Sequence, residues 1–330
     1  MKITVLGAGA WGTALAKLLR QDIAAGHEVV LWGHDAAHLR EIQATSRNER
    51  YLPGIELPRE LIFETDLQKS AAGADCVIVA VPSRAFRHVT ESLRDFSGVA
   101  VSVTKGIEPH SGLTMCGILA QTAPQASASA LSGPSLALEV ARGIPTAVVA
   151  ASAAPQALAL TQKLFHRSAF RVYSSADLAG VELGGALKNV IAIAAGICDG
   201  LGFGDNSKAA LVTRGLAEIR RLGTASSGAH PETFSGLSGL GDLMVTCFSK
   251  LSRNRGFGER LGRGEKISTI LTGMKSVAEG YPTTRSAFEL ARKHNVSTPI
   301  IDEIHAALYE EKNPGKALQD LTARGSKAED

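Results

Sequence analysis

The chain has 330 residues, 45% hydrophobic and 20% charged, with 34 glycines and a net charge of +3. That length favours two domains and leaves room for a full core, and the composition is that of an ordinary globular protein. The charge is small and scattered with no dense Lys/Arg run, which argues against nucleic acid as a partner.

The opening "MKITVLGAG" runs straight into an apolar strand and leaves no room for a signal peptide. Near-continuously apolar runs at 2–6 (KITVL), 28–32 (EVVLW), 75–81 (DCVIVAV), 99–104 (VAVSVT), 145–151 (PTAVVAA) and 170–173 (FRVY) read as strands buried on both faces. Helical patterns such as "TALAKLLRQDIAA" and "SRAFRHVTESLRDF" lie between them. Such alternation predicts an α/β domain over 1–176 with a parallel, doubly wound sheet of Rossmann type. After Asp177 the strands stop. "LAGVELGGALKNVIAIAAGICDG", "NSKAALVTRGLAEIRRLG", "RSAFELARKHN" and "TPIIDEIHAALYEEK" predict an all-helical domain over 177–330, ending in a frayed "RGSKAED". The cleft between two such domains is the default ligand site. The apolar run after Lys188 ends at Asp199, short of the ~20 residues that span a bilayer, so a cytosolic protein without membrane insertion is expected.

Cys76, Cys116, Cys198 and Cys247 lie far apart with no C-x-x-C, which fits buried thiols in a reducing compartment. His34 and His38 have the spacing of a helical metal pair, but no further ligand cluster lies nearby and no metal is expected.

"VLGAGAWGTALA" carries Gly7, Gly9 and Gly12 in G-x-G-x-x-G spacing between the first strand and an alanine-rich helix. The first glycine permits the tight turn and the second lets backbone approach a pyrophosphate. The third allows close helix–strand packing, with the helix N-terminus facing the anion. At the tip of the second strand, "LWGHD", Asp35 sits where a helix N-cap belongs, which leaves His34 to meet a ribose 2′-phosphate. The expectation is NADP preference with some tolerance of NAD. Pro82 and Ser83 end a strand at an edge that faces a cofactor in such sheets, and Ser83 equally suits a helix N-cap.

Lys105 lies just past a strand's carboxyl end, where such sheets hold ligands. Gly133, Pro134 and Ser135 mark a strand-to-helix junction that suits a small polar ligand or an ordinary Ser135 cap. Lys188 stands in "GGALKNVIAIAAG", among small and aliphatic residues. Burial disfavours a charged ammonium and moves a lysine toward the range useful for proton transfer, whereas a snorkelling lysine would need no function. Asp242, in "GLSGLGDLMVTC", is available as its partner. Ser252, Arg253, Asn254 and Arg255 in "KLSRNRGFG" suit a phosphate, or an exposed basic helix start.

"GAGAWGTALA", "TKGIE", "SGPSLALEVARGIPTAV", "VELGGALKNVIAIAAG", "GLGDLMVTC", "SRNRGFG" and "VAEGYPT" occur in this order over nearly the whole chain. The set resembles the bacterial NAD(P)-dependent sn-glycerol-3-phosphate dehydrogenases. The resemblance implies reversible reduction of dihydroxyacetone phosphate by NADPH or NADH for phospholipid synthesis, in a cytoplasmic homodimer. It implies Lys188 as acid/base, with Asp242 beside it and Lys105 also on the substrate. Gly133, Ser135, Arg253 and Asn254 match positions that bind glycerol 3-phosphate, and Asn189, Asp242, Thr246 and Ser252 match the surrounding polar shell. Ala10, Trp11, His34, Lys105, Ala137, Arg253, Val277 and Glu279 match positions lining the cofactor. "RQDIAAGHEV" is slightly longer than the family's usual link between first helix and second strand, which bears on where His34 sits. Two other readings share parts of the pattern: a dehydrogenase of a 3-hydroxy or sugar acid, and a cofactor-sensing binding protein. Sensing needs no proton donor, so Lys105, Lys188, Asp242 and Arg253 speak against the latter.

Overall fold

A computed structural model describes residues 1–21, 26–274 and 277–323. Part of the "RQDIAAGHEV" link and the "RGSKAED" end lie outside the described residues. The chain divides into two compact units, Met1–Glu108 with Leu113–Glu182, and Pro109–Gly112 with Leu183–Asp330.

The first unit is built on an eight-stranded sheet: β1 Lys2–Leu6, β2 Glu28–Trp32, β3 Ile62–Glu64, β4 Cys76–Val79, β5 Val99–Ser102, β6 Ser127–Ser132, β7 Thr146–Ala151 and β8 Phe170–Ser175. Its order is β3-β2-β1-β4-β5-β6-β7-β8. The chain winds outward from β1 in both directions, which makes the gap between β1 and β4 the switch point of a doubly wound sheet. Side chains alternate across it. Ile3, Val5, Val29, Leu31 and Ile78 join Leu15 and Leu19 of the Ala10–Arg20 helix in one core, whereas Leu6, Val77 and Val79 join Phe86, Val89, Ile118 and Leu119 in the other. Burial on both faces explains why these strands read as unbroken apolar runs.

The structure corrects several expectations. β3 and β6 were not anticipated: β3 is a three-residue edge strand, and β6 reads SASALS, a sequence with one large apolar side chain. The sheet is parallel through β6, but β7 pairs with β6 antiparallel, so β7 and β8 run against the rest. The predicted 83–96 helix stops at Thr90 and continues as one 3₁₀ turn, Glu91–Leu93. Buried Glu182 caps the Met115–Thr122 helix, accepting from the Cys116 N–H at 2.9 Å and the Thr114 hydroxyl at 2.8 Å.

The second unit is helical, with no strand among the described residues after Ser175. The helix Leu178–Gly200 matches the predicted span; at 23 residues it is long and apolar enough to cross a bilayer, yet all but its two ends is buried inside the protein. A helix apolar all round belongs in a core. The Arg253–Gly262 helix packs on it through paired glycines. A Cβ at Gly258 would overlap the Ile193 carbonyl, one at Gly196 the Arg255 carbonyl, and one at Gly262 would lie 2.6 Å from the Ile197 carbonyl. Only hydrogen side chains let the two backbones meet this closely. Buried Glu218 caps the Pro299–Tyr309 helix through the N–H groups of Ile300 (2.8 Å) and Ile301 (3.2 Å), and burial pushes its carboxyl up to about 7.

Candidate active site

In the first unit the three loop glycines have three different reasons. Gly7 has φ +122°, and a Cβ there would lie 2.7 Å from the Ala80 carbonyl, just past β4. A Cβ at Gly12 would overlap the Gly7 carbonyl, whereas Gly9 faces open space. The Ala10–Arg20 helix begins at Gly9 with no described side chain capping it, so its first N–H groups, beside half-buried Ala10 and Trp11, suit an anion. The arrangement fits the pyrophosphate of a dinucleotide at the switch point.

Asp35 caps the Ala36–Thr45 helix as expected, accepting from the His38 N–H at 3.0 Å, and His34 is exposed beside it. His38 is buried edge-on to Tyr51. Pro82, not Ser83, is the N-cap of the Ser83–Thr90 helix; the cap makes no side-chain bond, and Ser83 is buried as the first helical residue. Lys105 and Ser135 converge on one atom: the Gly133 carbonyl accepts from Lys105 Nζ and from Ser135 Oγ, each at 2.9 Å. Ser135 is therefore not a helix cap; Leu136 occupies that position before half-buried Ala137. Gly133 has φ +125° and packs against Val148, which excludes a side chain.

In the second unit Lys188 is 6% exposed, which rules out snorkelling. Its Nζ lies 2.9 Å from Asp242 Oδ1 and donates to Thr246 Oγ1 at 2.6 Å. Sequence explains the meeting. Gly184, one turn before Lys188, has no side chain to push away the Ser238 carbonyl, and Gly239 lies against the Phe234 backbone. A short π-helical stretch, Leu237–Gly241, then delivers Asp242 to the amine. Such stretches recur at functional sites. The Thr246 hydroxyl donates to the Asp242 carbonyl at 2.6 Å, so toward Lys188 it acts as an acceptor. Burial pushes the neighbouring Cys247 thiol up to about 12, keeping it a thiol.

A second network adjoins this one. Asn254 donates to Asn189 Oδ1 at 2.7 Å and accepts the Gly280 N–H at 2.9 Å, joining the residue after Lys188 to the one after Glu279. Ser252 caps the Arg253–Gly262 helix, accepting from the Arg255 N–H at 3.2 Å. Arg253 keeps over a third of its surface open, yet enough protein surrounds its guanidinium that desolvation holds its pKa below the usual arginine value, opposed by the charge of Glu279. Glu279 and Val277 are half-buried.

Three features were not foreseen. Arg255 pairs with Asp199 at 2.6 Å, and Lys208, 7% exposed, pairs with the same carboxylate. Asp199 ending an apolar helix was the available signal. Asn48, fully buried, donates to the Ala8 carbonyl at 3.0 Å and to Thr13 Oγ1 at 2.8 Å, pinning the glycine loop. Arg50 reaches Asp35 from a loop without motif or period.

Comparison with known proteins covers both units. Residues 2–158 match the family described as NAD-dependent glycerol-3-phosphate dehydrogenase N-terminus, and residues 177–319 match the corresponding C-terminus. The chain is 48% identical to glycerol-3-phosphate dehydrogenase [NAD(P)+] of Geobacter sulfurreducens, over 99% of this chain and 98% of that one. It is 47% identical to the protein of the same name from Syntrophotalea carbinolica, over 100% and 99%. A crystal structure of glycerol-3-phosphate dehydrogenase from Coxiella burnetii superposes with a TM-score of 0.93 at 40% identity, covering 98% of this chain and 99% of that one.

Proposed function

The chain belongs to the NAD-dependent glycerol-3-phosphate dehydrogenase family, and we propose that Lys188, seated on Asp242 and Thr246, is its proton donor and acceptor. The protein is an oxidoreductase that interconverts dihydroxyacetone phosphate and sn-glycerol 3-phosphate with NAD(P)(H), supplying glycerophospholipid synthesis. One observation carries the assignment of Lys188: a buried ammonium held by one carboxylate and one hydroxyl oxygen, on the one helix among the described residues long and apolar enough to cross a bilayer.

When bound, the reduced nicotinamide supplies the hydride. Gly7, Gly9, Gly12, Ala10 and Trp11 hold the pyrophosphate, and His34, Pro82, Lys105, Ala137, Arg253, Val277 and Glu279 line the rest of the nucleotide. In the reducing direction negative charge grows on the oxygen at C2. Lys188 stabilises it and transfers a proton from Nζ to that oxygen; in oxidation Nζ takes the hydroxyl proton back. Asp242 keeps the ammonium charged in a buried setting, and Thr246 accepts one of its N–H groups and so fixes its direction. Arg253 grips the substrate phosphate with its fork, so binding energy far from C2 helps position the reacting carbon. Ser252, Asn254, Asn189, Lys105, Gly133 and Ser135 complete the substrate contacts. In this reading residues 1–176 bind the nucleotide and residues 177–330 carry the proton chemistry, in a cytoplasmic homodimer that prefers NADP and tolerates NAD.

The test is absorbance at the nicotinamide band with dihydroxyacetone phosphate against unphosphorylated dihydroxyacetone. Strong discrimination for the phosphate is expected. Comparable turnover of the two ketones, or preference for a 3-hydroxy acid, would contradict the proposal.

A further inference from the structure

We propose that Arg50 sets the preference between NADP(H) and NAD(H), offering its guanidinium to the phosphate on the adenosine ribose 2′ oxygen. The proposal rests on the reading that the Gly7–Gly12 loop binds the nucleotide.

In a doubly wound sheet the side chains just beyond the second strand meet the ribose 2′ position; a carboxylate there favours the free hydroxyl, and a nearby arginine accommodates a phosphate. Both are present here. β2 ends at Trp32, and Asp35 follows three residues later. The His38 N–H, and after it Arg50, hold the Asp35 carboxyl below its usual range. Left alone, that carboxylate would repel a 2′-phosphate. Arg50 Nη1 lies 3.2 Å from Asp35 Oδ2 and neutralises it, while 53% of the Arg50 side chain stays open to solvent. A guanidinium has five N–H groups, so one contact with Asp35 leaves a fork for a second anion.

The loop bearing Arg50 is fixed to the nucleotide loop. Buried Asn48 bonds the Ala8 carbonyl, between Gly7 and Gly9, and its own Oδ1 accepts the Tyr51 N–H at 3.3 Å. The Arg50 guanidinium lies 5.0 Å from the centroid of the Tyr51 ring, and Tyr51 meets buried His38 edge-on at 5.3 Å. Arg50 is thus held from two sides at the tip of β2, whereas His34 offers a single imidazole ring without the planar fork of a guanidinium. Asp35 serves the ribose hydroxyl of NAD, and Arg50 serves the phosphate of NADP.

Calorimetric titration with 2′,5′-ADP and with 5′-ADP reads the 2′-phosphate alone, without catalysis. In R50Q the preference for 2′,5′-ADP should fall by about ten- to a hundredfold, the loss expected for charge-assisted hydrogen bonds. The NADPH/NADH ratio of kcat/KM should fall with it. R50K, which keeps the charge but not the fork, should recover part of both. Unchanged discrimination in R50Q overturns the role of Arg50. Failure of the wild-type protein to bind either nucleotide overturns the loop reading beneath it, a separate result.

Discussion

Replacing Asp242 by Asn keeps the shape of the side chain and removes one charge from the Lys188 pair. The two charged atoms lie 2.9 Å apart, with side chains 7% and 2% exposed. At an effective dielectric constant of about 20, Coulomb's law gives roughly 6 kcal/mol for that separation, and breaking a buried pair by deleting one partner typically costs about 3–5 kcal/mol. The cost falls on the ammonium, so Lys188 loses its proton at a lower pH. A difference of 3–5 kcal/mol corresponds to about two to four pH units. Reduction needs the protonated amine, so the alkaline limb of the kcat profile should move acidward by that amount in D242N. Oxidation needs the neutral amine, so its acid limb should move in the same direction. Stopped-time assays across pH in both directions read this directly. A uniform fall in kcat with both limbs unmoved would show that Asp242 does not govern the charge of Lys188.

Gly258→Ala places a methyl group on the Ile193 carbonyl and 3.0 Å or less from two further backbone atoms of the Lys188 helix, so a loss of about 1–3 kcal/mol in stability, or more, is expected in thermal unfolding. A melting temperature equal to wild type would show that the two helices can separate without cost. Glu218, raised by burial from 4.5 to about 7, binds its proton more tightly folded than unfolded. Its stabilisation is therefore complete below pH 4.5 and lost as pH rises through about 7, an amount on the order of 3 kcal/mol. Glu218→Gln cannot titrate, so the stability of wild type relative to this variant should decline between pH 5 and 8; a pH-independent difference would refute the burial argument.

The strongest sequence signals were those with a single physical solution. The Leu178–Gly200 helix is apolar between turn signals apart from Glu182, Lys188, Asn189 and Asp199, and its observed ends match the predicted ones. The glycine loop was legible from its spacing: a Cβ at Gly7 or Gly12 would meet backbone, whereas Gly9 faces open space. The Lys188–Asp242 pairing was offered on the chemistry of a buried amine and was found at 2.9 Å. What escaped was set by tertiary context. β6, rich in Ser and Ala, is a strand because its neighbours on both sides pair with it. Ser83 and Ser135 carry the right side chain for a cap, but Pro82 and Leu136 hold the cap positions, and Ser135 Oγ turns to the Gly133 carbonyl instead. Asn48 and Arg50 lie in irregular backbone, where no period or spacing marks a residue, and their roles emerge only from contacts 40 and 15 positions away in the chain.

The central claim is that one buried amine moves the proton. It is tested most directly by measuring kcat for dihydroxyacetone phosphate reduction in Lys188→Ala alongside the dissociation constant for NADPH. A positioned general acid is worth about a hundred- to ten-thousandfold, so kcat should fall by at least that range while cofactor affinity stays within a few-fold. Near-normal turnover in a folded Lys188→Ala protein would remove the amine from the mechanism.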